Sequence, residues 1–459
     1  MSALDASFLY TESERTPMHV GAVSIFEGGP LRDGDGRIRF NEIRKLLQSR
    51  LPLVPRLRMR IATPPLRMGL PSWVDDPSFD IDHHVRLVEL PSPGTRRQLF
   101  DLACTLHMDR LDRSRPLWEV WIVDGLEDVR VAMIQKTHHA LVDGVSGVDV
   151  ATAMLDLTPE PRAVEDDGWT PAPAPTTLAL VADSALHAFD APVAAARWAA
   201  RSLASPMRQV GKLRSVVSSF AAGPVTAPRT SLNQKVGTKR QLVAITLSLD
   251  ELKDAGHAAG TKVNDVILTI VAGGLRRLLE SRDEAIDVRP HVLVPVSVRT
   301  DDQRLGLGNK VASLIVPLPV EIASDRERLG VVAATTARLK EQDQATTMAT
   351  LMTAADHLGG LGPTLASAVI HHQPLVNLVV TNVPGAPIPL YLLGARLEES
   401  VPVVPLAANL DVSIGVLSYQ RDVVIGLYAD SDTVPDLAVL ADGIKESYDG
   451  LRARAAAAA

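Results

Sequence analysis

A chain of 459 residues is too long for one hydrophobic core and implies two or three domains. Its 46% hydrophobic and 22% charged content is ordinary for a globular protein, and a net charge of −7 excludes the basic footprint of a dedicated nucleic-acid binder. The single cysteine, Cys104, excludes an intrachain disulfide and suits a reducing cytosol; its apolar helical surroundings argue against a nucleophile.

Met1-Ser2-Ala3-Leu4-Asp5 has neither the basic region nor the apolar run of a signal peptide. No apolar run reaches the roughly 20 residues of a membrane helix. The expected location is cytoplasmic, at most peripheral at the inner membrane or on lipid droplets. Residues 1–157 read as one domain of short strands and helices. Within it, His83-His84 fall in a strand-like alternation over 81–88 and read as structural. Val131-Ala132-Met133-Ile134 reads as a buried strand. It runs into His138-His139-Ala140-Leu141-Val142-Asp143-Gly144, and Ser146 is a candidate N-cap for a helix that should stop before Pro159.

Residues 158–241 read as a connector. Its first part, to about residue 175, is rich in proline and acid. Its second part is Ala-rich, with Arg197, Arg201, Arg208, Lys212 and Arg214 and no acid over 191–222. Two readings stand for that stretch: a basic amphipathic helix touching an anionic lipid surface, or an interdomain helix with a solvated basic face. Residues 242–445 read as a second domain, and 446–459 as an Ala-rich tail. In the second domain a helix opens at Asn264-Asp265, and mid-helix Gly273-Gly274 imply a close approach by another backbone or a ligand. The run from Val292 to Arg299 alternates as a strand, and residues 410–418 and 423–429 read as a hairpin. Strands and helices alternate irregularly, so mixed sheets are expected.

The heptapeptide from His138 to Gly144 carries the chemistry. A histidine suits proton transfer near neutral pH, a neighbouring carboxylate holds its ring, and a glycine lets substrate approach. A zinc site lacks third and fourth ligands. Gly144-Val145-Ser146-Gly147 misses one spacer of the Gly-x-Ser-x-Gly nucleophile elbow. Spacing leaves two readings open: a structural histidine pair, or a general base acting on a bound hydroxyl or amine. His371-His372, which lack the following Asp-Gly, read as structural.

His-His-x-x-x-Asp-Gly resembles the signature of the coenzyme A-dependent acyltransferase superfamily, which includes chloramphenicol acetyltransferase and peptide-synthetase condensation domains. The blocks Leu4-Asp5-Ala6-Ser7-Phe8-Leu9, Glu12, Pro17-Met18-His19-Val20-Gly21 and Leu111 to Glu119 precede it. Asn264-Asp265-Val266, Val294 to Arg299, Gly308-Asn309, Asn382-Val383-Pro384-Gly385 and Ser418-Tyr419 follow it. In this order they resemble the bacterial wax ester synthase/diacylglycerol acyltransferase family. Departures are Thr381, where serine is expected, and Gly274, where alanine is usual; both are expected to bear on the acyl channel.

The resemblance implies an α/β (α+β) fold of two chloramphenicol-acetyltransferase-like domains with mixed sheets and an active-site tunnel at their interface. It makes His139 the proton acceptor, His138 its support, and Asp143 an orienting carboxylate with Arg299 or Arg240 as candidate partner. Gly144 gives room at the tunnel. Ser297, Asn382 and Asn264 are candidate substrate-binding residues, the first two as oxyanion donors. No metal and no cofactor is implied. Long-chain acyl-CoA is the co-substrate, diacylglycerol or a fatty alcohol the acceptor, and transfer is direct, without an acyl-enzyme. The alternatives are a relative acylating polyketide or glycolipid hydroxyls, and a non-catalytic lipid-droplet or membrane-associated binding protein.

Overall fold

The computed structural model describes residues 1–65, 69–141, 144–176, 226–297, 311–341, 364, 367 and 374–458. The first sheet is built from β1 (His19–Phe26), β4 (Val85–Glu89), β5 (Trp118–Asp124), β6 (Val131–His138), β11 (Tyr391–Leu392) and β12 (Ala395–Val403). Its order is β11-β12-β1-β6-β5-β4, and β2 (Met59–Ala62) pairs with β3 (Ser72–Asp75) beside it. The second sheet uses β7 (Arg240–Ser248), β8 (His291–Ser297), β9 (Val311–Pro317), β10 (Leu378–Pro384), β13 (Val412–Tyr419) and β14 (Asp422–Asp430), in the order β7-β14-β13-β10-β8-β9. Both are mixed, as expected: β4 and β5 run parallel in the first, and β8, β10 and β13 run parallel in the second.

The described helices are α1 (Ala3–Thr11), α2 (Phe40–Arg50), α3 (Arg96–Met108), α4 (Gly144–Met154), α5 (Leu249–Ala258), α6 (Val263–Ser281), α7 (Asp325–Glu341) and α8 (Leu437–Ala458). Local sequence explains where several begin. Ser2 accepts from the Asp5 N–H at the start of α1, and the Asp5 carboxylate answers the Ser2 N–H. Thr95 and Gln98 close the same box at α3. Asp265 takes the Lys262 N–H at the start of α6, while its other oxygen accepts from the Thr336 hydroxyl at 2.7 Å. Its two bonds make this aspartate structural.

Apolar faces then decide the packing. Val292 and Val294 of β8 lie in the second core with Val266, Ile270 and Leu278 of α6. Each such side chain stabilises the fold by roughly 1.5–3 kcal/mol when buried. A separate cluster joins the halves: Val23, Leu99 and Ile134 pack with Leu242, Val424 and Tyr428.

The hairpin expected near residue 420 is present, with Tyr419 opposite Asp422 and Gln420 in the left-handed region at φ 54°. Gly274 marks the close approach of another backbone that its mid-helix position implied, in place of the bearing on the acyl channel expected from its departure from alanine. A Cβ there falls 2.8 Å from the Leu440 carbonyl oxygen and 2.6 Å from Ile444, so the glycine admits α8, not an acyl chain. His83-His84 also differ from expectation: residues 81–83 form a short 3₁₀ turn, capped by Asp80, and strand begins only at Val85. The structural reading of His84 holds. Its ring is stacked between Phe79 and Trp118, and Nδ1–H donates to the Trp118 carbonyl at 2.8 Å.

The proline- and acid-rich stretch lies along the first half, held at several points. Asp167 binds Arg58, the Ala172 N–H donates to Asp75, and buried Arg50 joins Asp156 and the Arg162 carbonyl. The largest departure from a linear division is β12. It follows β10 in the chain yet pairs with β1 in the first sheet, Val23 opposite Val401, so a division at residue 242 separates strands that share one sheet. The Ala-rich basic stretch 191–222, Arg299 and His371-His372 lie outside the described residues.

Candidate active site

The histidine motif sits where three chain segments converge. β1 and β6 are antiparallel with His19 directly opposite His138. One residue on, the His139 N–H donates to the Met18 carbonyl at 2.8 Å. From the other side the His138 N–H donates to the Leu117 carbonyl at 3.0 Å. The Pro-Met-His and Pro-Leu-Trp blocks are thus the backbone clamps of the histidine pair. After a turn at Ala140 and Leu141, α4 carries the chain away. It begins at Gly144, so Ser146 is its third residue and not its cap; the turn after β6 is completed earlier than the serine implied. It ends at Met154, ahead of Pro159.

The two histidines have different environments. His138 is buried, and its Nδ1 accepts from the Ala140 N–H at 3.0 Å, which leaves the ring proton on Nε2. Burial holds its pKa well below the ordinary value, with His19 and Arg113 adding to the effect. His139 is half-buried, and the Phe8 ring of α1 stacks on it at 4.0 Å between centroids and 20° between planes. The stack covers one face of the imidazole and fixes its plane. His139 is therefore the more exposed member of the pair.

Behind His138 lies a cluster that the sequence reading did not assign to the site. The Glu12 side chain is 1% exposed; Oε2 accepts from Arg113 Nη2 at 2.7 Å. Its Oε1 stands 3.4 Å from His19 Nε2 and 3.5 Å from His138 Nε2. Arg113 also donates to the Leu9 carbonyl, closing the C-terminal end of α1. Glu12 and His19 stand in the recognised blocks, but nothing in their spacing says that they meet His138. Phe8 carries no polar signal at all.

Of the remaining expected residues, Asn382 and Asn264 meet: Asn382 Nδ2 donates to Asn264 Oδ1 at 3.3 Å, joining β10 to the start of α6. The helix after the motif, α4, packs on β10. Gly144 is the first residue of α4, and Ser297 ends β8; Asp143 and the Ser297 side chain lie outside the described residues. Arg240 donates to the carbonyls of Gly237, Lys239 and Arg15 and lies 3.9 Å from Asp430. Its described partners are Asp430 and the backbone. Cys104 is buried in α3 and its thiol is pushed up to about 12 by burial, the opposite of an activated nucleophile.

Two mixed six-stranded sheets, with His-His-x-x-x-Asp-Gly leaving the end of one strand, define the class of coenzyme A-dependent acyltransferases. The first condensation domain of the calcium-dependent antibiotic synthetase shares this fold, with a TM-score of 0.64 at 16% identity over 98% of this chain and 96% of that one. The family follows from closer matches. A model described as the wax ester synthase/diacylglycerol acyltransferase catalytic domain matches residues 1–267, and one for the C-terminal domain of that family matches 307–452. The chain belongs to the wax ester synthase/diacylglycerol acyltransferase family, and is accordingly an acyltransferase. It is 34% identical to the probable diacylglycerol O-acyltransferase tgs2 of Mycobacterium tuberculosis, over 97% of each chain. It is 31% identical to a putative diacylglycerol O-acyltransferase of the same organism, over 98% of this chain and 89% of that one. The wax ester synthase/diacylglycerol acyltransferase of Marinobacter aquaeolei VT8 superposes with a TM-score of 0.66 at 29% identity, covering 99% of this chain and 98% of that one. No helix among the described residues is long and apolar enough to cross a membrane.

The buried histidines make stability pH-dependent. His107, whose Nδ1–H donates to the Ala103 carbonyl, is lowered to about 4 by burial, and His138 lies well below 6.5. Both are neutral when folded and titrate near 6.5 when unfolded. Their contribution is complete above that pH and is lost as pH falls below it. At pH 5.5 the His107 shift alone lowers stability by about 1.4 kcal/mol, and His138 acts in the same direction. Urea midpoints at pH 7.5 and 5.5 measure this. His107→Gln should narrow the difference between them, and a difference unchanged by that substitution refutes the assignment to His107.

Proposed function

We propose that the protein transfers a long-chain acyl group from acyl-CoA to the hydroxyl of diacylglycerol, with fatty alcohol as a second acceptor. The observation that carries the proposal is the split between the two motif histidines: His138 is sealed and neutral, and His139 is reachable and held flat against Phe8. His139 takes the proton of the acceptor hydroxyl as that oxygen attacks the thioester carbonyl. The tetrahedral intermediate collapses, the C–S bond breaks, and the proton passes to the departing sulfur to give the ester and free CoA. This is direct transfer, with no enzyme-bound acyl group. His138 supports the base from behind, Asp143 orients the motif, and Gly144 leaves room for the acceptor.

Asn382, Asn264 and Ser297 are the proposed polar contacts of the reacting carbonyl. The Asn382–Asn264 bond supports the first two, since each amide presets the other's direction. Diacylglycerol is the preferred acceptor because the relatives above are named for it. Such an acceptor resides in lipid, which supports peripheral work at the inner membrane or a droplet surface.

The test is thiol release from palmitoyl-CoA by purified protein, with dioleoylglycerol or hexadecanol supplied in mixed micelles and the ester quantified. Faster triacylglycerol formation supports the stated preference, and faster wax ester formation reverses it. Release with neither acceptor above the background hydrolysis rate rejects both, and sends the search to polyketide or glycolipid hydroxyls.

A further inference from the structure

We propose that Glu12 is a positioning residue of the active site, which sets the charge and the geometry of the His138–His139 pair through its contacts with His138 and Met18. The inference rests on His139 acting as the base, and it goes beyond the motif to a carboxylate far from it in sequence.

The contacts are directional. His138 Nδ1 is occupied by the Ala140 N–H, so the Nε2–H end faces Glu12 Oε1 at 3.5 Å. The same oxygen faces the Met18 N–H at 3.4 Å, and the Met18 carbonyl holds the His139 N–H. One carboxylate thereby touches both residues that fix the base: the neighbouring ring and the opposing strand. Arg113 binds its other oxygen from the loop after α3, at the end of α1, so α1 is anchored at the point where it delivers Phe8 to His139.

Charge adds a second role. The groups facing this cluster are Arg113 from the loop, His19 from β1, His107 from α3, Lys136 from β6 and His139 from the turn after it. Lys136 is neutralised by Glu119 at 2.9 Å, and buried His107 and His138 stay uncharged. Glu12 is thus the carboxylate that balances Arg113. Without it, an uncompensated guanidinium stands beside His138 and disfavours a proton on His139. Without Arg113, an uncompensated carboxylate favours that proton. The two deletions must therefore move the base in opposite directions.

The experiment measures kcat and KM for palmitoyl-CoA against pH in wild type, Glu12→Gln, Glu12→Asp, Arg113→Gln and His139→Ala, with thermal melts as the folding control. In Glu12→Gln the plateau kcat should fall about tenfold with KM within about twofold, and the acid limb should move to lower pH by on the order of half a unit or more. Glu12→Asp should return the limb toward wild type. Arg113→Gln, whose parent side chain is 43% exposed and tolerates replacement, should move the limb to higher pH, and it serves as the probe if Glu12→Gln does not fold. A merely structural role lowers the plateau and leaves both midpoints in place, which overturns the proposal. If Glu12→Gln and Arg113→Gln match wild type while His139→Ala is dead, Glu12 is refuted and the base stands. If His139→Ala retains turnover, the base assignment itself has failed.

Discussion

His139→Ala is expected to lower kcat for acyl transfer by about 10²-fold or more, because it removes the group proposed to take the acceptor proton. The size of the loss follows from the environment. An alcohol hydroxyl is a poor nucleophile until its proton leaves, and His139, half-buried where His138 is fully buried, is the motif histidine proposed to take it. His138 cannot substitute: its Nδ1 is engaged by the Ala140 N–H and its Nε2 is turned toward Glu12, inside the protein. Cys104 cannot supply a covalent bypass, since burial raises its thiol to about 12. His139 packs on Phe8 by a single ring face, so truncation costs modest stability and the variant should fold. The measurement is thiol release from palmitoyl-CoA in the presence of the acceptor together with ester yield, in protein whose melting temperature lies near that of wild type. Equal rates in the two proteins refute the mechanism.

Gly426→Ala is expected to destabilise the protein by about 3 kcal/mol, at the upper end of overpacking costs. Gly426 of β14 pairs with Gly415 of β13. A Cβ on Gly426 falls 2.1 Å from the carbonyl oxygen of Pro402, and one on Gly415 falls 3.0 Å from the Pro402 ring. The two glycines make a bare patch on the hairpin against which the end of β12 lies while it pairs with β1 in the first sheet. A backbone oxygen cannot rotate aside as a side chain can, so β12 must shift, and with it the pairing to β1 that leads toward His19. Gly330→Ala on α7 is the control. Nothing lies within 4 Å of a Cβ there, and removing a mid-helix glycine should stabilise by about 0.5–1 kcal/mol. Urea unfolding of both variants checks the pair. A midpoint for Gly426→Ala equal to that of wild type contradicts the close crossing.

The sequence made much of the fold legible. The repeating apolar pairs of α6, the alternation in β8 and the hairpin turning near Gln420 are all local signals, and each appears where the residues place it. The chemistry was legible through resemblance: the seven-residue motif and the ordered blocks around it imply it, while spacing alone left a structural histidine pair and a general base both open. The glycines of α6 were read as marks of a close approach, but the sequence could not say whether backbone or ligand came near. The structure answers with α8.

What only the tertiary structure decided are the contacts made at long range. Phe8 stacks on His139 across more than a hundred residues of chain, Glu12 and Arg113 meet behind His138, and β12 leaves the second half to complete the first sheet. Spacing carries information only over the period of a helix or a strand. Which strand lies beside which, and which side chains then face one another, is settled by burying the apolar faces of all the elements at once. The sequence by itself determined the class of reaction and the residue expected to perform it. The assembled sheets determined which of two adjacent histidines is buried and which is half-exposed, and what stands behind the buried one.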